Sequence, residues 1–248
     1  MSVGDFYIGY QPDAPKPLAQ FRARVGIVFL IVFVSGMALF AFGQRKQPEG
    51  LFEFGIQREW EGVLYETPVP MLVIEDGSES AAVLVGLFKF GIPEVAKGHH
   101  GERVSFAGTL IEAGGFRMIE MNDPDSFEAR GEAGSTPGRI DGGRVELEGE
   151  LVDTKCFLGV MRPGAGKVHR ACAVRCLSGG VPPGLLVRRS DGSGALFYLA
   201  GPEGGALDFD VQWAARRTRV SGQLYITEGV LTVFTDSLEL SYGPEGGE

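Results

Sequence analysis

The chain has 248 residues, 44% of them apolar, which allows one large or two small domains with a real core. Its formal charge of −9 excludes nucleic acid as a partner, because phosphate backbones demand a basic surface. Glycine (38) and proline (14) are abundant, favouring many turns between short strands. Three cysteines are too few for a disulfide scaffold and leave at least one thiol unpaired.

Residues 1–24 read as an arm. Phe6, Tyr7, Ile8 and Tyr10 precede Pro12, Pro15 and Pro17, and the prolines argue against a long helix here. Aromatic side chains suit a membrane interface or a neighbouring protein, so Phe6, Tyr7 and Tyr10 are candidate docking residues. Val25 to Gly43 then runs without a charge. At 1.5 Å per residue that run nearly matches a hydrocarbon core of about 30 Å. A cleaved signal peptide is the alternative, since Ala41-x-Gly43 loosely fits a cleavage site. The long preceding segment and the Arg45-Lys46 pair favour an uncleaved transmembrane helix over 25–43. Lys16, Arg22 and Arg24 before the helix bias it toward a cytoplasmic N-terminus. The arm is then cytoplasmic and the bulk of the chain lies in the periplasm or outside the cell.

Beyond the helix the chain repeats itself. Glu61-Gly62-Val63-Leu64-Tyr65 aligns with Glu148-Gly149-Glu150-Leu151-Val152, and Met71-Leu72-Val73 with Leu185-Leu186-Val187. Ala81 to Val85 aligns with Ala195 to Leu199; Val104, Phe106, Gly108 and Leu110 align with Thr218, Val220, Gly222 and Leu224. Each block is short, rich in β-branched and aromatic residues, and bounded by Gly, Pro or Asp, as strands are. Glycine-bearing hairpins are expected at Ala113-Gly114-Gly115 and Thr227-Glu228-Gly229. The expected fold is mainly β: two tandem OB-like small barrels over 44–130 and 145–243, with a β-sandwich as the competing architecture. The Gly-rich stretch 131–144 reads as a linker, and 244–248 as a tail.

The repeats differ by one extra piece in the second copy, Cys156 to Pro182, between its first two strands. It contains every cysteine of the protein and one of its histidines. A scaffold-independent addition to a connecting loop is where function is expected. Lys167 to Leu177 reads as a short helix, stopped by Gly179-Gly180 and Pro182-Pro183. On it His169, Cys172 and Cys176 share one face, which Cys156 reaches when the loop closes. Three readings stay open. The cysteines pack the helix on the barrel, two of them disulfide-bonded. Or Cys156, His169, Cys172 and Cys176 hold a metal, zinc by its ligand types. Or they form a redox or copper site.

Sharper motifs are absent: no CxxCH for haem, no complete P-loop around Gly164-Ala165-Gly166-Lys167, and no catalytic constellation. His99-His100 reads as a solvated turn. From Thr154 to Ser190 there is no acid, yet Lys155, Arg162, Lys167, Arg170, Arg175, Arg188 and Arg189 are present. Such a reversal reads as a solvated loop or as a patch for an acidic partner or anionic lipid, with Arg162, Lys167, Arg170 and Arg175 as docking candidates.

The stretch Lys155-Cys156-x-Leu158-Gly159-x-Met161-x-Pro163-Gly164-x-Gly166-Lys167-x-His169-Arg170-Ala171-Cys172-Ala173-x-x-Cys176-x-x-Gly179-Gly180-x-Pro182-Pro183 resembles the signature of a family of bacterial membrane-anchored proteins. Phe6-Tyr7-Ile8-Gly9-Tyr10 is similar to the start of some of its members. The resemblance covers arm, anchor and extra piece and brings no reaction with it. It implies a bacterial envelope protein, in the inner membrane with the bulk of the chain periplasmic, beside respiratory or photosynthetic electron-transfer complexes. The expected function is therefore a non-catalytic accessory subunit, not an enzyme, whose partners are other integral membrane subunits and lipid. No cofactor is expected beyond zinc or copper at the Cys/His cluster. The alternatives are a metal-binding or redox-active periplasmic protein and a periplasmic ligand-binding or assembly factor.

Overall fold

The computed structural model describes residues 15–43, 50–74, 80–132, 137–189 and 193–241. Phe6, Tyr7 and Tyr10 lie outside the described residues. The chain divides into two compact units, Met1–Lys46 and Gln47–Glu248.

Among its described residues the first unit has one helix, α1 (Lys16–Gly43), none of whose residues is buried. It is long and apolar enough to cross a membrane. It begins nine residues ahead of the apolar run, because Pro17 sits in the first turn, where a missing N–H costs nothing. Proline thus starts this helix rather than preventing it.

The second unit is mainly β, with two closed five-stranded barrels. The first barrel contains β2 (Arg58–Tyr65), β3 (Met71–Ile74), β4 (Ser80–Gly86), β5 (Glu102–Ala113) and β6 (Phe116–Met121), with β1 (Gly50–Phe52) and β7 (Glu128–Glu132) added along β5. The second contains β8 (Arg139–Asp153), β9 (Pro183–Arg188), β10 (Gly194–Ala200), β11 (Arg217–Thr227) and β12 (Val230–Leu240). Both close in the same order. The first strand pairs the second and the fourth, the second pairs the third, and the fifth pairs the fourth. The third and fifth strands pair in parallel, β4 with β6 and β10 with β12. The sequence repeat is therefore a repeat of topology.

Both expected hairpins form. Gly114 and Gly115 have φ of 57° and 85°, and Glu228 and Gly229 have 47° and 81°. Two consecutive positive φ values match the strand twist of a two-residue hairpin, and Glu228 adopts one without being glycine. The stretch 131–144 is not a plain linker. It holds the end of β7 and the start of β8, while 133–136 lie outside the described residues. A Cβ on Gly142 would come within 2.9 Å of the Leu224 side chain, and Gly143 has a φ of 82°. Glycine there serves close cross-strand packing beside a bulge at Leu224/Tyr225, so its abundance mimics a linker.

The barrels differ in one connection. Residues 66–70 join β2 to β3, whereas 154–182 join β8 to β9. The longer connection holds a π-helical turn (Cys156–Val160) and the helix α2 (Arg170–Ser178). One buried cluster runs through Val63, Met71 and Val83 of the first barrel, Val152, Leu186 and Tyr198 of the second, and Cys156 and Cys176 of this connection. The connection therefore fills the seam between the barrels instead of extending into solvent.

Candidate metal centre

Asp153, the last residue of β8, is fully buried. Its Oδ1 accepts the Cys156 N–H at 2.8 Å, and its Oδ2 lies 2.9 Å from His169 Nε2. A buried carboxylate with both oxygens engaged is a satisfied group, and here it fixes two sequence-distant positions at once. It turns the chain from the strand into the π-helical turn and seats the histidine that precedes α2. Thr154 adds a bond from its Oγ1 to the Pro182 carbonyl at 2.8 Å, closing the base of the connection. Gly164 lies where a Cβ would stand 2.3 Å from the Cys156 carbonyl oxygen, so only glycine lets the loop fold back this tightly.

The three thiols meet on this frame. Cys156 Sγ stands 3.9 Å from Cys172 Sγ and 3.9 Å from Cys176 Sγ, and all three sulfurs lie within 4.8 Å of one another. None forms a disulfide, whose sulfurs would stand about 2.05 Å apart. Four sulfurs around zinc at about 2.3 Å in tetrahedral geometry are separated by about 3.8 Å. The observed spacing is one at which the three sulfurs could hold a single ion. Cys156 and Cys176 are buried, while Cys172 is partly exposed. His169, 5% exposed, belongs to a second close group with Asp153 and Cys156. The four residues singled out by sequence lie close together, and the imidazole faces the carboxylate.

Sequence reasoning missed two members of this site, Asp153 and Lys89. Lys89 comes from the first barrel, in the loop after β4, and its Nζ lies 2.7 Å from Cys172 Sγ and 4.0 Å from Cys176 Sγ. Asp153, beside the extra piece, was legible as an acid next to Cys156; nothing local marks Lys89. Gly179, which ends α2, permits the approach of that loop: a Cβ there would meet the Lys89 carbonyl oxygen at 1.9 Å. The Gly91 N–H donates to the Gly179 carbonyl at 2.9 Å. Contact with the Cys172 sulfur raises the Lys89 pKa, against the effect of burial. The Cys176 thiol is lowered, chiefly by the hydrogen bond from Cys156 and further by the Lys89 charge. The Cys156 thiol is pushed up, chiefly by its hydrogen bond with Cys176 and then by burial. Of these two thiols, Cys176 is the one whose ionised form the surroundings favour.

The basic stretch proves heterogeneous. Lys155 is fully buried: its Nζ contacts Glu120 Oε2 at 2.5 Å and the carbonyls of Gly86 and Phe88 at 2.7 Å each. All three ammonium protons have acceptors, so Lys155 bolts barrel two to barrel one instead of belonging to a surface patch. Arg162 donates to the Gly50 carbonyl at 2.7 Å and Arg170 to the Gln212 carbonyl at 2.9 Å. Lys167 and Arg175 are exposed. Elsewhere His99 Nδ1 lies 2.8 Å from Glu102 Oε2, and His100 Nδ1 accepts the Glu66 N–H at 3.2 Å, an arrangement that closes a turn.

Compared with protein-family models, with curated proteins and with solved structures, the chain matches none.

Proposed function

We propose that this protein is a membrane-anchored, extracytoplasmic metal-binding protein that holds one soft ion among Cys156, Cys172 and Cys176. The observation that carries this reading is the mutual spacing of the three sulfurs, 3.9 Å from Cys156 to each of the others. Thiolate donors select zinc or monovalent copper over hard cations. Three thiolates around a divalent ion leave one net negative charge, which the Lys89 ammonium offsets. Asp153 orients the Cys156 backbone and the His169 ring, the supporting role that outer groups play around metal ligands. His169 is the candidate for a fourth ligand, at the cost of its contact with Asp153. The strand order common to the two barrels supports an OB-like identity for both, in which the loop after the first strand borders the ligand face. Elemental analysis combined with thiol counting on the full-length protein in detergent tests this reading. One ion per chain, with three thiols masked until a chelator is added, is expected. No bound ion and three freely reactive thiols, or a disulfide, would contradict it.

A second reading is a non-catalytic accessory subunit of a respiratory or photosynthetic electron-transfer complex in a bacterial inner membrane. It is favoured by Leu87, Phe88 and Phe90, exposed apolar side chains that line one groove in the loop carrying Lys89, since a contiguous exposed apolar patch marks a contact site. Stable co-purification with other membrane subunits from the native membrane is expected on this reading, and a single species in mild detergent counts against it.

A further inference from the structure

Lys89 and Cys172 form an unusual pair. An amine nitrogen meets a sulfur at 2.7 Å, closer than the usual 2.9–3.0 Å of an N–H···O bond, although sulfur is the larger acceptor. Among the described residues no carboxylate pairs with Lys89; its polar neighbours are the sulfurs of Cys172 and Cys176. Both backbones are fixed. The lysine loop is held by Lys155 through the Gly86 and Phe88 carbonyls and by Gly91 on Gly179. Cys172 is carried by α2, which packs Ala173 and Leu177 against Ala214. Groups locked in contact react at effective concentrations far above those in solution. Cys172 is also the one thiol of the three open to a small oxidant, the other two being buried.

We propose that, in the metal-free protein, Lys89 and Cys172 are a modification site that dioxygen joins covalently through a nitrogen–oxygen–sulfur bridge. The Lys89–Cys172 pair gives up two hydrogens in all, whichever of the two atoms holds the shared proton. N–O and O–S bonds form, the O=O bond breaks, and the second oxygen leaves as water with both hydrogens. Nitrogen and sulfur each give up two electrons, which together account for the four that reduce dioxygen. The bridge ties the first barrel to α2 and removes Cys172 from the thiolate set. Metal binding and bridging therefore exclude each other. The bridge itself does not depend on the metal reading.

The test is peptide mapping by mass spectrometry of full-length, metal-free protein in detergent, kept under argon or exposed to air, without added reductant. Air exposure is expected to yield a cross-linked pair of peptides containing Lys89 and Cys172. That pair is heavier than the sum of the two by one oxygen, less two hydrogens, and is missing in Lys89→Met and Cys172→Ser. Lys89 is exposed, so the first variant retains its fold. Preloading with zinc alone should suppress the product. A Cys156–Cys172 disulfide, a direct N–S bond, simple oxidation of Cys172, or no change in air would overturn the proposal. Bridging without zinc uptake would sink the metal reading alone, and zinc uptake without bridging would sink this one alone.

Discussion

The two barrels share a strand order and a pair of matching hairpins, yet one is plain where the other is elaborate. Residues 66–70 complete the first connection of barrel one, and 154–182 complete that of barrel two. The chemistry gathers in the longer segment, as expected of a loop the scaffold does not need. Barrel one is not idle, however. It supplies Lys89, Glu120 and two carbonyls to the elaborated copy, so the site belongs to the seam and not to either barrel.

Breaking the seam at its buried ion pair should have the largest effect. Lys155→Met leaves Glu120, with 8% of its side chain exposed, as an uncompensated charge. A loss of roughly 3–5 kcal/mol is expected, read as a lower urea midpoint for the soluble unit within the full chain. Adding Glu120→Met should restore part of it, because the unpaired charge is removed while the Gly86 and Phe88 carbonyls still lack the Lys155 donor. If the double variant is as unstable as the single one, the pair is not what joins the barrels.

Next in size is Asp153→Asn. The amide cannot accept both the Cys156 N–H and a proton from His169, so a stability loss of about 1–3 kcal/mol is expected. Metal affinity, measured by competition with a chromogenic chelator, should fall about 10–100-fold. Gly179→Ala strikes the same seam from the helix end. Its methyl would collide with the Lys89 carbonyl oxygen, and the overpacking should cost about 1–3 kcal/mol and move Lys89 off Cys172. Protection of Lys89 from acetylation would then decline while the thiol count stays the same.

The smallest expected effect separates docking from folding. Replacing both Phe88 and Phe90 with serine should change stability by no more than about 0.5 kcal/mol, as surface substitutions do. On the accessory-subunit reading it should remove co-purifying proteins; unaltered recovery of partners would dismiss that loop as a contact.

Much of this architecture could be read from the chain because strands advertise themselves locally. Alternation in Val104-x-Phe106 and turn glycines at Gly114-Gly115 depend on neighbours in sequence. The thiols were legible by residue type, and the shared helix face of Cys172 and Cys176 by spacing. Lys155 misled because a cation's burial depends on partners such as Glu120, which only the assembled barrels supply. Lys89 was invisible for the same reason. The start of α1 was misplaced because a proline in a first turn looks, in sequence, like one that breaks a helix. The glycines at 142–143 read as a linker, although they make room for Leu224 across the sheet.

The central claim is that three thiolates share one ion, and X-ray absorption on the zinc-loaded, full-length protein tests it most directly. Three sulfur neighbours at about 2.3 Å, falling to two in Cys176→Ser, is the predicted result. A first shell of nitrogen and oxygen alone, unaltered by that substitution, would contradict it.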